Sequence, residues 1–206
     1  MERKPVVVVL HGPSGVGKDT VIDRLREKTG IHRALSSTSR APRPGEIDGV
    51  SYYFLSAAEF EAKIQADEFA EYARVYNDWK GVEKREILPY LDAGTDVIIR
   101  TDVQGARTWR RRLAGAVFIF LMAEDRDILR TRLIERNTED GDSLATRLEE
   151  LEKELEDIPN NDYVVYNHNG ALDRAVDELA AIIERERVNP ARPRPLVRPA
   201  VPITPS

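Results

Sequence analysis

The chain has 206 residues, of which 41% are hydrophobic and 33% charged, with a formal net charge of -5 and no cysteine. That length carries one ordinary domain with a proper core, and the acidic balance argues against a nucleic-acid partner, which wants a basic face. Without cysteine there is no disulfide, and nothing reads as a signal peptide or membrane span, so a cytoplasmic protein is expected.

The first element is the apolar run Val6 to Leu10, read as a buried strand, followed by Gly12-Pro13-Ser14-Gly15-Val16-Gly17-Lys18-Asp19-Thr20 and a helical pattern from Val21 to about Lys28. Strand, glycine loop and helix in that order match G-x-x-x-x-G-K, the loop that wraps backbone N–H groups around phosphate oxygens at a helix N-terminus. Lys18 adds a point charge for the transferred phosphoryl group. The motif asks for Ser or Thr next, to hold Mg²⁺; here Asp19 stands there, with Thr20 following. A glycine turn with a stray lysine is the plainer alternative, and the strand-before, helix-after context argues against it. The expectation is a nucleoside triphosphate bound with Mg²⁺.

Further along, Ile31 to Ser36 reads as a short strand, residues 36–46 as a polar loop kept out of helix by proline, and Tyr52 to Leu55 as a strand. Ser56 and Glu59 form a capping box opening a helix to about Ala66. A strand follows from Phe69 to Tyr76, ending at the turn Asn77-Asp78. A helix runs from Glu83 to Asp92, with Pro89 awkward inside it and Gly94 at its stop. The buried strand Asp96 to Arg100 leads into Thr101-Asp102-Val-Gln-Gly105 and a helix from about Ala106 to Leu113. The remaining pattern is strand Ala116 to Met122, helix Asp125 to Arg136, a polar hinge over 137–142, a charged helix Ser143 to Asp157, strand Tyr163 to Tyr166 and helix Ala171 to Val188. Alternating strands and helices call for an α/β fold, a parallel sheet covered on both faces. From Asn189 onward, six prolines in eighteen residues predict a disordered or polyproline tail over 189–206.

Arg40 and Arg43 stand in the proline-rich loop, where two guanidinium forks suit a second phosphate, although two surface arginines look the same in isolation. The series Gly12 to Lys18, then Ser36-Ser-Thr-Ser-Arg40-x-Pro-Arg43-x-Gly45-Glu46-x-x-Gly49-x-x-Tyr52-x-Phe54, then Asp102-Val-Gln-Gly105 resembles the guanylate kinase family in order and spacing, from about residue 5 to about residue 187. The resemblance implies a P-loop nucleoside monophosphate kinase fold over 1–188 in which ATP phosphorylates GMP to GDP. It implies a monophosphate-binding subdomain over about 37–92 and a lid over about 136–147.

Carried over residue by residue, the resemblance puts Ser36, Arg40, Arg43 and Tyr52 around the acceptor phosphate and Glu71 against the guanine edge. Guanine presents N1–H and a 2-amino group as adjacent donors, which one ionised carboxylate accepts together; without the surrounding match, Glu71 reads as a charge on the solvent side of a strand. Asp102 resembles the acid near Mg²⁺, with helix capping as its ordinary reading, so the metal set is Asp19, Thr20 and Asp102. Arg132, Arg136 and Arg147 resemble lid arginines that reach the ATP phosphates and the transferring group, though Glu135, Glu139 and Glu150 offer each an ion-pair partner. Asn167 resembles a position beside adenine; His32 and His168 read as surface residues and Trp79 as packing.

Three acceptor positions depart from the commonest pattern: Lys80 stands for tyrosine, Val82 for serine and Arg100 for aspartate. Lys80 holds a phosphate as a phenol does, Val82 removes a donor, and Arg100 cannot accept a hydrogen bond at all. In one reading Glu71 alone reads N1–H and the 2-amino group while Arg100 donates to O6 or N7. In the other the acceptor is a different phosphorylated compound such as ribose 1,5-bisphosphate, whose kinase shares the Lys-Asp pair. A non-catalytic guanylate-kinase-like binding module is a third reading, which the intact Gly17, Lys18 and Asp102 disfavour.

Overall fold

The computed structural model describes residues 3–75, 77–124 and 144–198, with the backbone alone for 144–148 and 150. In chain order its elements are β1 (Val7–His11), α1 (Lys18–Thr29), β2 (His32–Ala34), β3 (Ser36–Thr38), β4 (Tyr53–Phe54), α2 (Ala57–Gln65), β5 (Phe69–Val75) and β6 (Asp78–Glu83). Next come α3 (Leu88–Asp92), β7 (Val97–Arg100), α4 (Val103–Arg112), β8 (Leu113–Ala114), β9 (Val117–Ala123), α5 (Leu144–Leu155), β10 (Tyr163–Asn167), α6 (Leu172–Arg187) and β11 (Leu196–Val197).

The core is a five-stranded sheet in the order β10-β9-β1-β7-β2, every pairing parallel. A parallel sheet is buried on both faces, which is why its central strands read as unbroken apolar runs. Val8 and Leu10 of β1 join Val21, Ile22 and Leu25 of α1 and Leu179 of α6 on one face. Val7 and Val9 join Ile87 and the α4 residues Ala106 and Trp109 on the other. All three α1 side chains are fully buried, each contributing about 1.5–3 kcal/mol to the fold. The ladder sets the site: Leu10 lies opposite Arg100, and the Thr101 N–H donates to the Leu10 carbonyl at 3.1 Å.

A second, four-stranded sheet, β4-β3-β6-β5, stands beside this core, with β3 parallel to β4 and the β3–β6 and β5–β6 pairs antiparallel. The Ser56 capping box forms as expected and starts α2, whose Phe60 stacks on Phe69 at 4.2 Å and on Trp79 at 6.0 Å. Trp79 is therefore a packing residue, as its sequence context suggested.

Four features differ from the sequence reading. β6 has no alternating apolar pattern, because its Glu83, 1% exposed, is buried against Ser37 and Lys63 while Lys80 and Val82 face a cavity. The single helix expected over 83–92 is a 3-10 turn, Lys84–Glu86, followed by α3; Pro89 falls in the first turn of α3, where its missing N–H costs no helical bond. His32 and His168 are half-buried rather than on the surface: His32 stacks on Tyr90 at 3.4 Å and His168 pairs with Glu124 at 3.1 Å. The segment expected to be a disordered tail is ordered over 189–198: β11 pairs antiparallel with β8. Arg192 bonds the Ala116 carbonyl at 2.6 Å and Glu186 at 2.5 Å, and Asn189 donates to Glu186 at 2.8 Å. Side chains supply there what a proline-rich backbone lacks. The expected helix Asp125 to Arg136, the hinge after it, Tyr76 and residues 199–206 lie outside the described residues. Among the described residues no helix is long and apolar enough to cross a membrane.

Candidate active site

β1 delivers the chain into the glycine loop at Gly12, whose φ is +143° and where a Cβ would sit 2.2 Å from the Leu121 carbonyl oxygen. Gly17 closes the loop with φ +92° and starts α1 as an N-cap without a side-chain hydrogen bond, so the first N–H groups of the helix are left for a ligand. Lys18 curls over the loop, its Nζ donating to the carbonyls of Gly12 at 2.6 Å and Pro13 at 2.8 Å. Burial, followed by the neighbouring Arg100 charge, lowers its pKa to about 8. Val16 is buried in the core and Ser14 is exposed, while Gly15 completes the turn between them.

A cavity of about 580 Å³ opens between this loop's neighbours and the four-stranded sheet, lined by Ser36, Glu71, Lys80, Val82, Arg100 and Asp102 among others. Five of these six come from the sequence reading as binding residues, and the fold brings all of them together. Glu71 is 7% exposed, and burial, with the charge of Asp102 behind it, lifts its pKa to about 7 against the pull of Lys80 and Arg112. Tyr52 stands at the rim: Arg100 Nη1 reaches its hydroxyl at 3.4 Å, and Arg40 and Lys80 Nζ lie 5.1 and 5.9 Å from its ring centre. Three cations thus surround one phenol, an arrangement that attracts an anion.

The two loop arginines part company. Arg40 is held bidentately by Glu46 at 2.6 and 2.7 Å, and that pairing drives the Glu46 pKa down to about 2. Arg43 is exposed, and its backbone is tied to Glu46 at both groups: its N–H donates to the carboxylate at 2.8 Å and its carbonyl accepts from the Glu46 N–H at 3.0 Å.

A second cavity, about 810 Å³, lies along the start of α1 and is lined by Gly17, Thr20, Asn167 and His168 among others. Asn167 donates to the Val16 carbonyl at 2.9 Å, so it braces the phosphate loop besides facing this cavity. Thr20 is on this side, apart from Asp102.

The two carboxylates of the expected metal set, Asp19 and Asp102, suit a metal unequally. Asp19 lies 2.6 Å from Arg33 and 3.0 Å from Arg100, so its two oxygens are engaged by guanidinium groups. Asp102 both caps α4, accepting from the Gly105 N–H at 2.7 Å, and lines the acceptor cavity; its other oxygen takes no hydrogen bond among the described residues. Magnesium in kinases binds one or two carboxylates plus phosphates and waters, and Asp102 fits that pattern. Among the described residues no cluster of three His, Cys, Asp or Glu side chains is placed to hold a metal alone. Arg132 and Arg136 lie outside the described residues, and for Arg147 only the backbone, in α5, is described.

The chain's residues 2–186 match the guanylate kinase family model. The chain belongs to the guanylate kinase family. It is 46% identical over 186 residues to guanylate kinase 2, chloroplastic/mitochondrial, of Oryza sativa subsp. japonica, covering 89% of this chain and 65% of that relative. It is 39% identical over 185 residues to the guanylate kinase of Clostridium tetani, covering 90% of this chain and 88% of the relative. In three dimensions it is similar to the crystal structure of guanylate kinase from Anaplasma phagocytophilum, with a TM-score of 0.73 and 28% identity over 93% of this chain and 90% of that one. The family carries the parallel sheet flanked by helices found here.

Two residues of this guanylate kinase site escaped the sequence reading. Arg33 reaches Asp19 from β2, and only a charge inside a short strand flags it. His11, at the end of β1, is fully buried, its pKa lowered to about 4 by burial, with Nε2 2.5 Å from Asn161 Oδ1. A polar residue closing an apolar strand is the signal there.

Proposed function

We propose that the chain transfers the γ-phosphoryl group of ATP in line to the phosphate oxygen of GMP. The observation that carries this reading is the buried Glu71 in one cavity with Lys80 and Arg100, next to the phosphate loop. Ionised, Glu71 accepts from guanine N1–H and the 2-amino group, and Arg100 donates to O6 or N7. The acceptor phosphate sits among Ser36, Tyr52, Lys80 and Arg40, with Arg43 joining from the loop. Arg40 must exchange Glu46 for the phosphate, one carboxylate fork for another.

On the donor side, the amides of residues 12–20 cradle the triphosphate, Asn167 and Thr20 flank the nucleoside, and Lys18 follows the moving phosphoryl group. Lid arginines Arg132, Arg136 and Arg147 complete the charge. Asp102 would hold Mg²⁺ together with the phosphates, and the ion, when bound, would supply Lewis-acid neutralisation of the phosphate oxygens. In that role Asp102 would keep its capping bond to Gly105 and offer its other oxygen to the ion. Catalysis is positioning plus electrostatic stabilisation, and no residue needs to act as a strong base because the acceptor is already anionic.

The test is a turnover screen of GMP, dGMP, AMP, UMP, CMP and ribose 1,5-bisphosphate with Mg-ATP. GMP is expected to turn over fastest and ribose 1,5-bisphosphate not at all; a preference for the sugar bisphosphate overturns the reading.

A further inference from the structure

Asp19 and Arg100 each look like damage when read singly: a carboxylate beside the phosphate-loop lysine, and a cation at the acceptor's base edge. In the fold they are partners. Asp19 Oδ2 lies 3.0 Å from Arg100 Nη2, and Oδ1 accepts from Arg33 Nη2 at 2.6 Å. Arg33, with a side chain 16% exposed, is itself fixed by Asp23 at 3.1 Å. The carboxylate is thus pinned from behind by β2 and presents its other oxygen to the end of β7.

Arg100 is clasped at both ends, by Asp19 on Nη2 and by the Tyr52 hydroxyl on Nη1, while its buried Nε has no hydrogen-bond partner among the described residues. A guanidinium with five donors that spends so few on protein is oriented without being saturated. It lines the acceptor cavity with Glu71 and Lys80. Without a counter-charge, Arg100 would add to Lys80 and Arg40 around Tyr52 and repel Lys18, so the Asp19 carboxylate also balances the site.

We propose that Asp19 is a positioning residue for the acceptor, holding Arg100 in the base-facing pose, so that one ion pair ties the donor-binding helix α1 to the acceptor cavity. Asp19 thereby serves the acceptor rather than the metal. This inference rests on the GMP reading of the cavity.

The test is GMP binding by calorimetry to the full chain without ATP or metal, for wild type, Asp19→Asn, Arg100→Met, the double variant, Arg33→Met and Asp19→Glu. Asp19→Asn is expected to raise the GMP dissociation constant about tenfold, Arg100→Met at least as much, and the double variant no more than Arg100→Met alone, as coupled neighbours behave. Arg33→Met falls between wild type and Asp19→Asn, and Asp19→Glu, which keeps the carboxylate, restores part of the affinity. In turnover the Asp19→Asn effect is expected mainly in KM for GMP rather than in kcat. An unchanged GMP constant in Asp19→Asn, additive single effects in the double variant, or a higher Mg²⁺ requirement with normal GMP binding would each overturn the assignment. Wild type failing to bind GMP overturns the acceptor reading itself, and the two failures are told apart by that control.

Discussion

The phosphate loop and the acceptor sheet meet at one cavity yet are held by different means. The loop is stitched through main-chain atoms: Lys18 to the Gly12 and Pro13 carbonyls, Asn167 to the Val16 carbonyl, and positive φ at Gly12 and Gly17. The acceptor side is held by charges that satisfy one another, Arg40 with Glu46 and Arg100 with Asp19. A phosphate is the same in every triphosphate, so backbone amides suffice for it. A base and its monophosphate must be discriminated, and only side chains can do that.

The largest effect should come from the loop. Lys18→Met removes the loop's side-chain cation, and kcat should fall about 10²–10³-fold, the usual cost of losing one preorganised charge partner in a transition state. Single-turnover kinetics at saturating ATP and GMP check this; a change confined to KM would mean that Lys18 only binds.

Glu71→Gln tests the other half. An amide offers one donor and one acceptor against two guanine donors, so kcat/KM for GMP should fall about 10–100-fold, on the scale of hydrogen bonds to charged groups. The pH dependence sharpens the contrast. With its pKa raised to about 7, Glu71 is protonated below that pH and cannot accept both donors, so kcat/KM for GMP should fall as pH drops through 7 and the Gln variant should lose that limb. Stability runs the opposite way. A group whose folded pKa is raised stabilises most below its unfolded value near 4.3 and loses that contribution as pH rises through about 7. The melting temperature of the nucleotide-free wild type should therefore drop, relative to Glu71→Gln, as pH rises from about 4.3 to about 7 and level off above, read by calorimetry.

The smallest kinetic effect belongs to neither half. Arg192→Ala strips a partner from Glu186, which is 4% exposed, and leaves the Ala116 carbonyl without its donor. It should cost about 1–3 kcal/mol and lower the melting temperature by about 2–12 °C while kcat stays within about twofold. A large loss of turnover would mean that the C-terminal segment reaches the site.

What the sequence reveals follows the same division. Val6 to Leu10, the glycine loop and the Ser56 capping box act through local pattern, and each reads directly from neighbouring residues. β6 does not, because a buried Glu83 and a cavity-facing Lys80 break the alternation that marks a strand. The ordered stretch after Asn189 is hidden by its prolines, since its anchors, Arg192 and Asn189 on the buried Glu186 and the pairing of β11 with β8, form only in the fold. Glu71 is legible only through the surrounding motif, and the Asp19–Arg100 pair not at all, because its members sit in separate elements joined solely by the fold.

The pairing of Leu10 with Arg100 has a last consequence. The donor loop leaves β1 and Arg100 ends β7 on the same rung of the ladder, so the loop and this residue of the acceptor cavity start on adjacent strands about 4.8 Å apart. That interval is a property of peptide geometry, indifferent to which base is chosen or how tightly it is gripped. Evolution can redraw the four-stranded sheet for a new acceptor without recalibrating the gap across which the phosphoryl group travels.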